Sequence, residues 1–368
     1  AFRQSWGVQL IELQKYAEKG DENRIHFSST EGHIPSAGDL QKLGIKLFVG
    51  VGHETTGATT YAEEDVQNLL EWIDLDPVNH HAVIDATSTL GAMPWADDVV
   101  QQVVEKCSLF MPFQKAIGGT AGYFIVSFTP EALELVEKNV NNPAWAIPRQ
   151  LKLALPTDGQ LPISGKKSLA AGPFYDPAKD QMIGGIINTF STIAFAETTF
   201  GLLSSEKKVG SVRDLNKRSI ANRAEVERWV AEHPLFALGV EDSSRRGAAV
   251  TLLKVNDADI NDAGLHASII AKAKQLLGFE GLTHPNGDYE RGLDVARYVN
   301  TFPGTPGDFR LWIGGMRPVS DISAVFDNLE YAYHRAKIVV IEEELAKYGV
   351  RYEASSAANS RVRKDDSN

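Results

Sequence analysis

Residues 81–88 read His81-Ala82-Val83-Ile84-Asp85-Ala86-Thr87-Ser88, a short apolar run closed by a carboxylate and two small hydroxyl residues. A run of that length, bounded by turn-forming residues, suits a strand buried in a sheet. The same pattern recurs on both sides. Upstream, Lys46-Leu47-Phe48-Val49-Gly50-Val51 reads as another buried strand and 63–73 as a helix. Downstream, 97–105 reads as a helix, 108–113 as a strand and 122–128 as one more. Strands alternating with helices imply βαβ units and a mostly parallel sheet covered on both faces. Ligands of such sheets bind beyond the carboxyl ends of the strands, so the polar residues found there are the first candidates for chemistry.

Farther out the periodicities change. Residues 5–19 suit an amphipathic helix through Trp6, Val8, Leu10, Ile11, Leu13 and Tyr16. Residues 141–182 form an irregular excursion rich in Pro, Gly and Lys, with a hairpin expected around Pro156-Thr157-Asp158-Gly159. Helices are expected over 191–203, 212–232 and 265–277, strands over 248–255 and 309–313, and a last helix from 321 to about 348. The fold class is α/β, with a large sheet domain over 1–211 and a smaller carboxy-terminal α+β domain over 212–353. Residues 354–368 are small, polar and charged, and are expected to be disordered.

The composition excludes several classes. The chain of 368 residues carries a formal net charge of −11, which repels nucleic-acid backbones and anionic membranes. The most apolar long stretch, 183–196, is broken by Asn188, Thr189, Ser191 and Thr192 and is too short to span a bilayer. The single cysteine, Cys107, rules out an intrachain disulfide and fits a reducing cytoplasm. It precedes an apolar run and is expected to be an inert core thiol rather than a nucleophile.

Three strand ends carry the candidate chemistry. They are Gly52-His53-Glu54-Thr55-Thr56-Gly57, Asp85-Ala86-Thr87-Ser88, and Gln114-Lys115 followed by Ala116-Ile117-Gly118-Gly119. Pyridoxal phosphate needs such a set. A lysine amine joins its aldehyde and shuttles the α-proton, and an aspartate keeps its ring nitrogen protonated. Small hydroxyl residues and glycine amides hold its phosphate. Taken singly, a strand-end Asp is more often a turn or cap residue, and a Lys before Gly-Gly a solvated loop residue.

Together these residues resemble a known family. His53-Glu54-Thr55-Thr56-Gly57, Asp85-Ala86-Thr87-Ser88, Gln114-Lys115 and Ile187-Asn188-Thr189 look like successive motifs of phosphoserine aminotransferases, class V of the fold-type I enzymes dependent on pyridoxal phosphate. Pro143-Ala144-Trp145-Ala146-Ile147-Pro148 and Pro306-Gly307-Asp308-Phe309-Arg310-Leu311-Trp312 resemble the branch found in methanogens and some proteobacteria. The resemblance implies Lys115 as the cofactor lysine and Asp85 as partner of the ring nitrogen. It implies Thr55 or Thr56 at the ring hydroxyl, with Gln114 and Ser88 at the phosphate. Asn188 and Thr189 would reach the phosphate of the neighbouring subunit, which makes a homodimer part of the site. Trp6 would stack on the ring, or else serve as a core tryptophan. Arg310 would fix the substrate carboxylate through its planar fork, with a surface or interface salt bridge as the alternative.

Two departures qualify this. The family begins with a glycine-rich turn and basic residues that nothing before Trp6 supplies, so the chain is expected to be a truncated, split or partial version. Residues 298–309 hold no cation where the family places one for the substrate phosphate; Arg297 is the nearest. The resemblance implies ping-pong exchange between glutamate and 3-phosphohydroxypyruvate. A class V aminotransferase for an unphosphorylated substrate is the first rival, and a non-catalytic binding or assembly protein on the same fold is the second.

Overall fold

The computed structural model describes residues 24–28, 30, 32–115, 118–119, 123–139, 175–176, 181–182, 192–279, 299–300 and 307–349. The helix expected over 5–19, the turn at 156–159 and the tail 354–368 lie outside them. The chain divides into two compact units: residues 1–223 with 240–250 and 314–316, and residues 224–239, 251–313 and 317–368.

The first unit is built on β1 (Arg24–Ser28), β2 (Ile45–Val51), β5 (His81–Asp85), β6 (Ser108–Pro112) and β7 (Phe124–Ser127), adjacent in that order. The first four are parallel, and β7 closes the edge antiparallel to β6. Parallel neighbours require crossovers. Helix α1 (Ala37–Lys42) lies between β1 and β2, and α3 (Asp97–Lys106) between β5 and β6. Between β2 and β5 come a small hairpin, β3 (His53–Glu54) with β4 (Thr59–Thr60), and then α2 (Glu63–Leu75). Helix α2 buries Val66, Leu69, Leu70 and Ile73, spaced three and four apart, while Glu63, Glu64 and Asp65 place negative charge at its amino end.

Ala82 and Ile84 of β5 are buried in the core shared with Leu69, Trp72, Val99 and Val103. The opposite face of β5 keeps Val83 37 % exposed, so the described residues cover one face of the sheet fully rather than both. Cys107 lies in the same core, at the join of α3 and β6, and burial pushes its thiol up to about 12. After β7 come α4 (Pro130–Asn139), the strand pair β8 (Tyr175–Asp176) and β9 (Gln181–Met182), and α5 (Thr192–Lys208).

Residues 240–250 return to this unit. The short 3-10 helix Ser243–Arg245 delivers Arg245, which donates to the carbonyls of Thr30 and Gly32 and to Asp65 Oδ2 at 2.7 Å. Both charges are buried. Breaking such a pair from one side costs about 3–5 kcal/mol, because the remaining charge is left without a partner.

Helix α6 (Val212–Glu232) belongs to the first unit up to Arg223 and to the second from Ala224. The second unit carries the sheet β10–β11–β13–β12, formed by β10 (Phe236–Leu238), β11 (Val250–Val255), β12 (Val299–Asn300) and β13 (Phe309–Trp312). Helices α7 (Ala263–Phe279) and α8 (Val319–Lys347) pack together and share one core with that sheet. Among the described residues, no helix is long and apolar enough to cross a membrane.

Candidate functional site at the carboxyl ends of the parallel strands

Parallel register brings three chain segments to one edge of the first sheet. Val51 of β2 pairs with Asp85 of β5, and Asp85 with Phe110 of β6. The ladder runs one step further, where Gly52 N–H donates to the Asp85 carbonyl at 3.0 Å and Ala86 N–H to the Phe110 carbonyl at 2.8 Å. The segments beginning at Gly52, Ala86 and Phe113 therefore leave the sheet on the same side.

Asp85 is half-buried there. Its Oδ1 accepts from the Thr87 N–H at 2.9 Å and, in a short contact, from the Thr87 hydroxyl. This is an Asx turn, the ordinary use of a strand-end aspartate. It occupies one carboxylate oxygen and fixes the plane of the group, while Oδ2 has no partner among the described residues. Ser88 is buried in the turn that follows, and Thr89 still more deeply. The Thr89 hydroxyl lies over Gly52 and has no hydrogen-bond partner among the described residues.

Gln114 and Lys115 follow β6, both half-buried. Gln114 Oε1 is buried without a partner among the described residues. The Lys115 carbonyl accepts from Gly118 N–H at 3.0 Å, and the Phe113 carbonyl from Gly119 N–H at 2.8 Å, which ties Gly118 and Gly119 back to the end of the strand. Gly118 has φ +75°, where an L side chain would be strained.

Thr55 and Thr56 occupy the tip of the β3–β4 hairpin rather than an open strand-end loop. The Thr56 N–H donates to Glu54 Oε1 at 2.8 Å. His53 is buried and packs against Gly247, which leaves no room there for a side chain on residue 247. The run of Thr and Gly reads as turn in sequence, which hides the two-residue strands on each side.

Arg310 lies in β13 of the second unit, opposite Asn300. It is only 9 % exposed, and its neighbours Phe309 and Leu311 are buried as well. It is therefore not a surface residue. Phe309, Arg310 and Leu311 are consecutive buried residues, so both faces of this stretch of the strand are covered. Trp6, Asn188 and Thr189 lie outside the described residues.

The site contains buried polar atoms that the sequence reading did not single out, Thr89 Oγ1 and Thr198 Oγ1 on α5. Thr89 stands next to Ser88 and extends the same hydroxyl cluster, so its position was a usable signal. Thr198 lies on a helix of low amphipathic contrast, and nothing in the sequence marks it.

Two curated phosphoserine aminotransferases, from Methanosarcina barkeri and Methanosarcina mazei, are each 24 % identical to the chain over 340 and 338 residues. In both cases the match spans 92 % of this chain and 74 % of the relative. The chain resembles the phosphoserine aminotransferases. No family model matches it. Pyridoxamine-pyruvate aminotransferase from Mesorhizobium loti superposes with a TM-score of 0.52 at 13 % identity, covering 84 % of this chain and 68 % of that one. Ureidoglycine-glyoxylate aminotransferase from Bacillus subtilis gives a TM-score of 0.51 at 13 % identity, covering 89 % and 67 %. The α/β fold expected from residues 46–128 is therefore a fold shared with these aminotransferases.

Proposed function

We propose that the chain is an aminotransferase dependent on pyridoxal phosphate, moving an amino group from glutamate to 3-phosphohydroxypyruvate and yielding 2-oxoglutarate and phosphoserine. The observation that supports this most is the register Val51↔Asp85↔Phe110. It sends the carboxylate and the lysine-bearing turn off one sheet edge, in a chain that resembles phosphoserine aminotransferases over 92 % of its length.

The residues present fit the cofactor. Asp85 offers an oriented carboxylate with one oxygen uncommitted among the described residues. Gln114 and Thr89 carry buried polar atoms that lack partners among the described residues, as groups awaiting a ligand do. In this reading Lys115 holds the cofactor covalently and moves the substrate α-proton, and Asp85 faces the ring nitrogen. Ser88 and Gln114 hold the phosphate, and Thr55 or Thr56 the ring hydroxyl. Trp6 covers the ring, and Asn188 and Thr189 serve the partner subunit of a homodimer. When bound, the cofactor supplies the electron-accepting ring that stabilises charge at the substrate α-carbon. Arg310, held in a buried strand, binds the substrate carboxylate bidentately.

A second reading has one observation in its favour: no Lys, Arg or His occurs in 298–309, ahead of Arg310. It makes the chain a class V aminotransferase for an unphosphorylated amino acid or oxo acid.

Lys115 decides the first point. Borohydride reduction of the enzyme loaded with pyridoxal phosphate, followed by peptide mapping, should place the cofactor on Lys115. Lys115→Ala should abolish turnover and leave the cofactor removable by dialysis. Labelling at another lysine would refute the assignment.

A further inference from the structure

We propose that Gly201 of α5 is a positioning residue for Lys115. Its missing side chain lets the turn after the lysine seat directly on the helix backbone. The inference rests on the reading of Lys115 as the cofactor lysine.

Helix α5 buries an unusual edge. Thr198, Gly201 and Ser205, spaced three and four apart, are its buried residues, whereas Ile193 and Phe200 are each 74 % exposed. The buried edge is thus small rather than large and apolar. A Cβ built on Gly201 would stand 2.9 Å from the Gly118 carbonyl oxygen, 3.0 Å from its carbon and 3.0 Å from Gly119 Cα. All three are backbone atoms of the lysine turn, so no flexible side chain could swing aside. On its other side the turn is held as closely: a Cβ on Gly119 would lie 3.0 Å from Phe113 Cβ, 3.2 Å from the Phe113 carbonyl oxygen and 3.4 Å from Thr198 Cα. The turn is therefore clamped between the end of β6 and α5. Its hydrogen bond from Gly118 N–H to the Lys115 carbonyl carries that clamp to the lysine backbone.

Proton transfer demands a tightly placed amine, and a misplacement of about 1 Å costs on the order of 10²-fold in rate. Relieving the Gly201 contact requires the turn or the helix to move by a few tenths of an ångström. The expected loss is about tenfold.

The test is Gly201→Ala in the full chain loaded with pyridoxal phosphate. Two readouts are expected to move: the pH at which the visible band of the lysine-bound cofactor changes, and kcat, down about tenfold with the amino-donor KM nearly unchanged. Leu202→Ala, on an exposed part of the same helix, should leave both unchanged. A folded Gly201→Ala protein with wild-type band and kcat would overturn the proposal. Should that variant not fold, Gly118→Ala strains the same turn at its positive φ without touching α5. If the band pH stays at the wild-type value in Gly118→Ala, the turn does not set the lysine and the proposal falls. Wild-type labelling at Lys115 together with an unresponsive Gly201→Ala removes this inference alone. Wild-type labelling at another lysine removes the functional reading, and this inference with it.

Discussion

Asp85 has one observed job and one proposed job, and the two can be separated. Its Oδ1 closes the Asx turn with Thr87, which any acceptor at that atom could do. The proposed electrostatic role needs the negative charge. Asp85→Asn keeps the acceptor and removes the charge, so thermal unfolding should stay close to wild type. Its kcat should fall by about 10²–10³-fold, the scale of losing one preorganised electrostatic contact. Near-normal transamination by Asp85→Asn would assign the charge role elsewhere. At this scale the sequence shows where polar residues end or follow a strand, as at Asp85, Ser88 and Lys115. It was blind where three-dimensional proximity sets the role. Gly201 in a helix reads as a propensity defect of about 1 kcal/mol, with no sign of the carbonyl that occupies its side-chain space. Arg310 reads as a carboxylate binder or a salt-bridge partner, with no sign that both faces of its strand are covered.

Elements were legible when one periodicity dominated. The bounds of β5 and α6 follow directly from an apolar run ending at Asp85 and from a long polar helix opening at Val212 and ending before His233-Pro234. Short elements escaped. Helix α1 is six residues long, the β3–β4 strands are two residues each, and α4 was not separated from the segment after β7. The junction of α8 with the loop after β11 yields a prediction about pH. Tyr333 donates to Asp257 Oδ2 at 2.8 Å, and Lys337 pairs with the same oxygen at 2.8 Å. Burial pushes the Asp257 carboxyl up, but the hydrogen bonds from Lys337 and Tyr333 prevail and hold it below its usual range. Burial likewise pulls the Lys337 amine down, and the bonds to Asp257 and Asp259 more than restore it, so it lies above its usual range. A depressed carboxyl stabilises the fold above its unfolded pKa, about 3.9, and loses that contribution as pH falls through the folded value. A raised amine stabilises below about 10.4 and loses its share as pH climbs through its folded value. Urea unfolding of the wild type should therefore show a plateau between these limits. Lys337→Met should lower the plateau and soften its alkaline edge, to which the Tyr333 phenol, raised by burial and by its bond to Asp257, also contributes; an unchanged alkaline edge would show that the Lys337 pair contributes nothing.

Over the whole molecule, the question is whether the proposed substrate is phosphorylated. A phosphate ester carries nearly two negative charges at neutral pH, and an acidic protein must offset them locally. Losing one partner of a buried charged contact costs about 2–5 kcal/mol, or roughly 30-fold to several-thousand-fold. With 2-oxoglutarate as acceptor, kcat/KM for phosphoserine should exceed that for serine by at least about 30-fold if phosphoserine is the true substrate. Parity would favour the unphosphorylated reading and turn the cation-free stretch 298–309 into a specificity feature. The division into two units was only partly legible in sequence, because 240–250 and 314–316 rejoin the first unit through contacts such as Arg245 with Asp65. Cys107 has a practical consequence of its own. It is the sole thiol in 368 residues, sealed in the core and reluctant to ionise. A cysteine introduced at an exposed position would accept a maleimide dye or spin label without a competing background. Movement of α5 could then be followed by fluorescence or spin-label distance in a protein needing no prior removal of native cysteines.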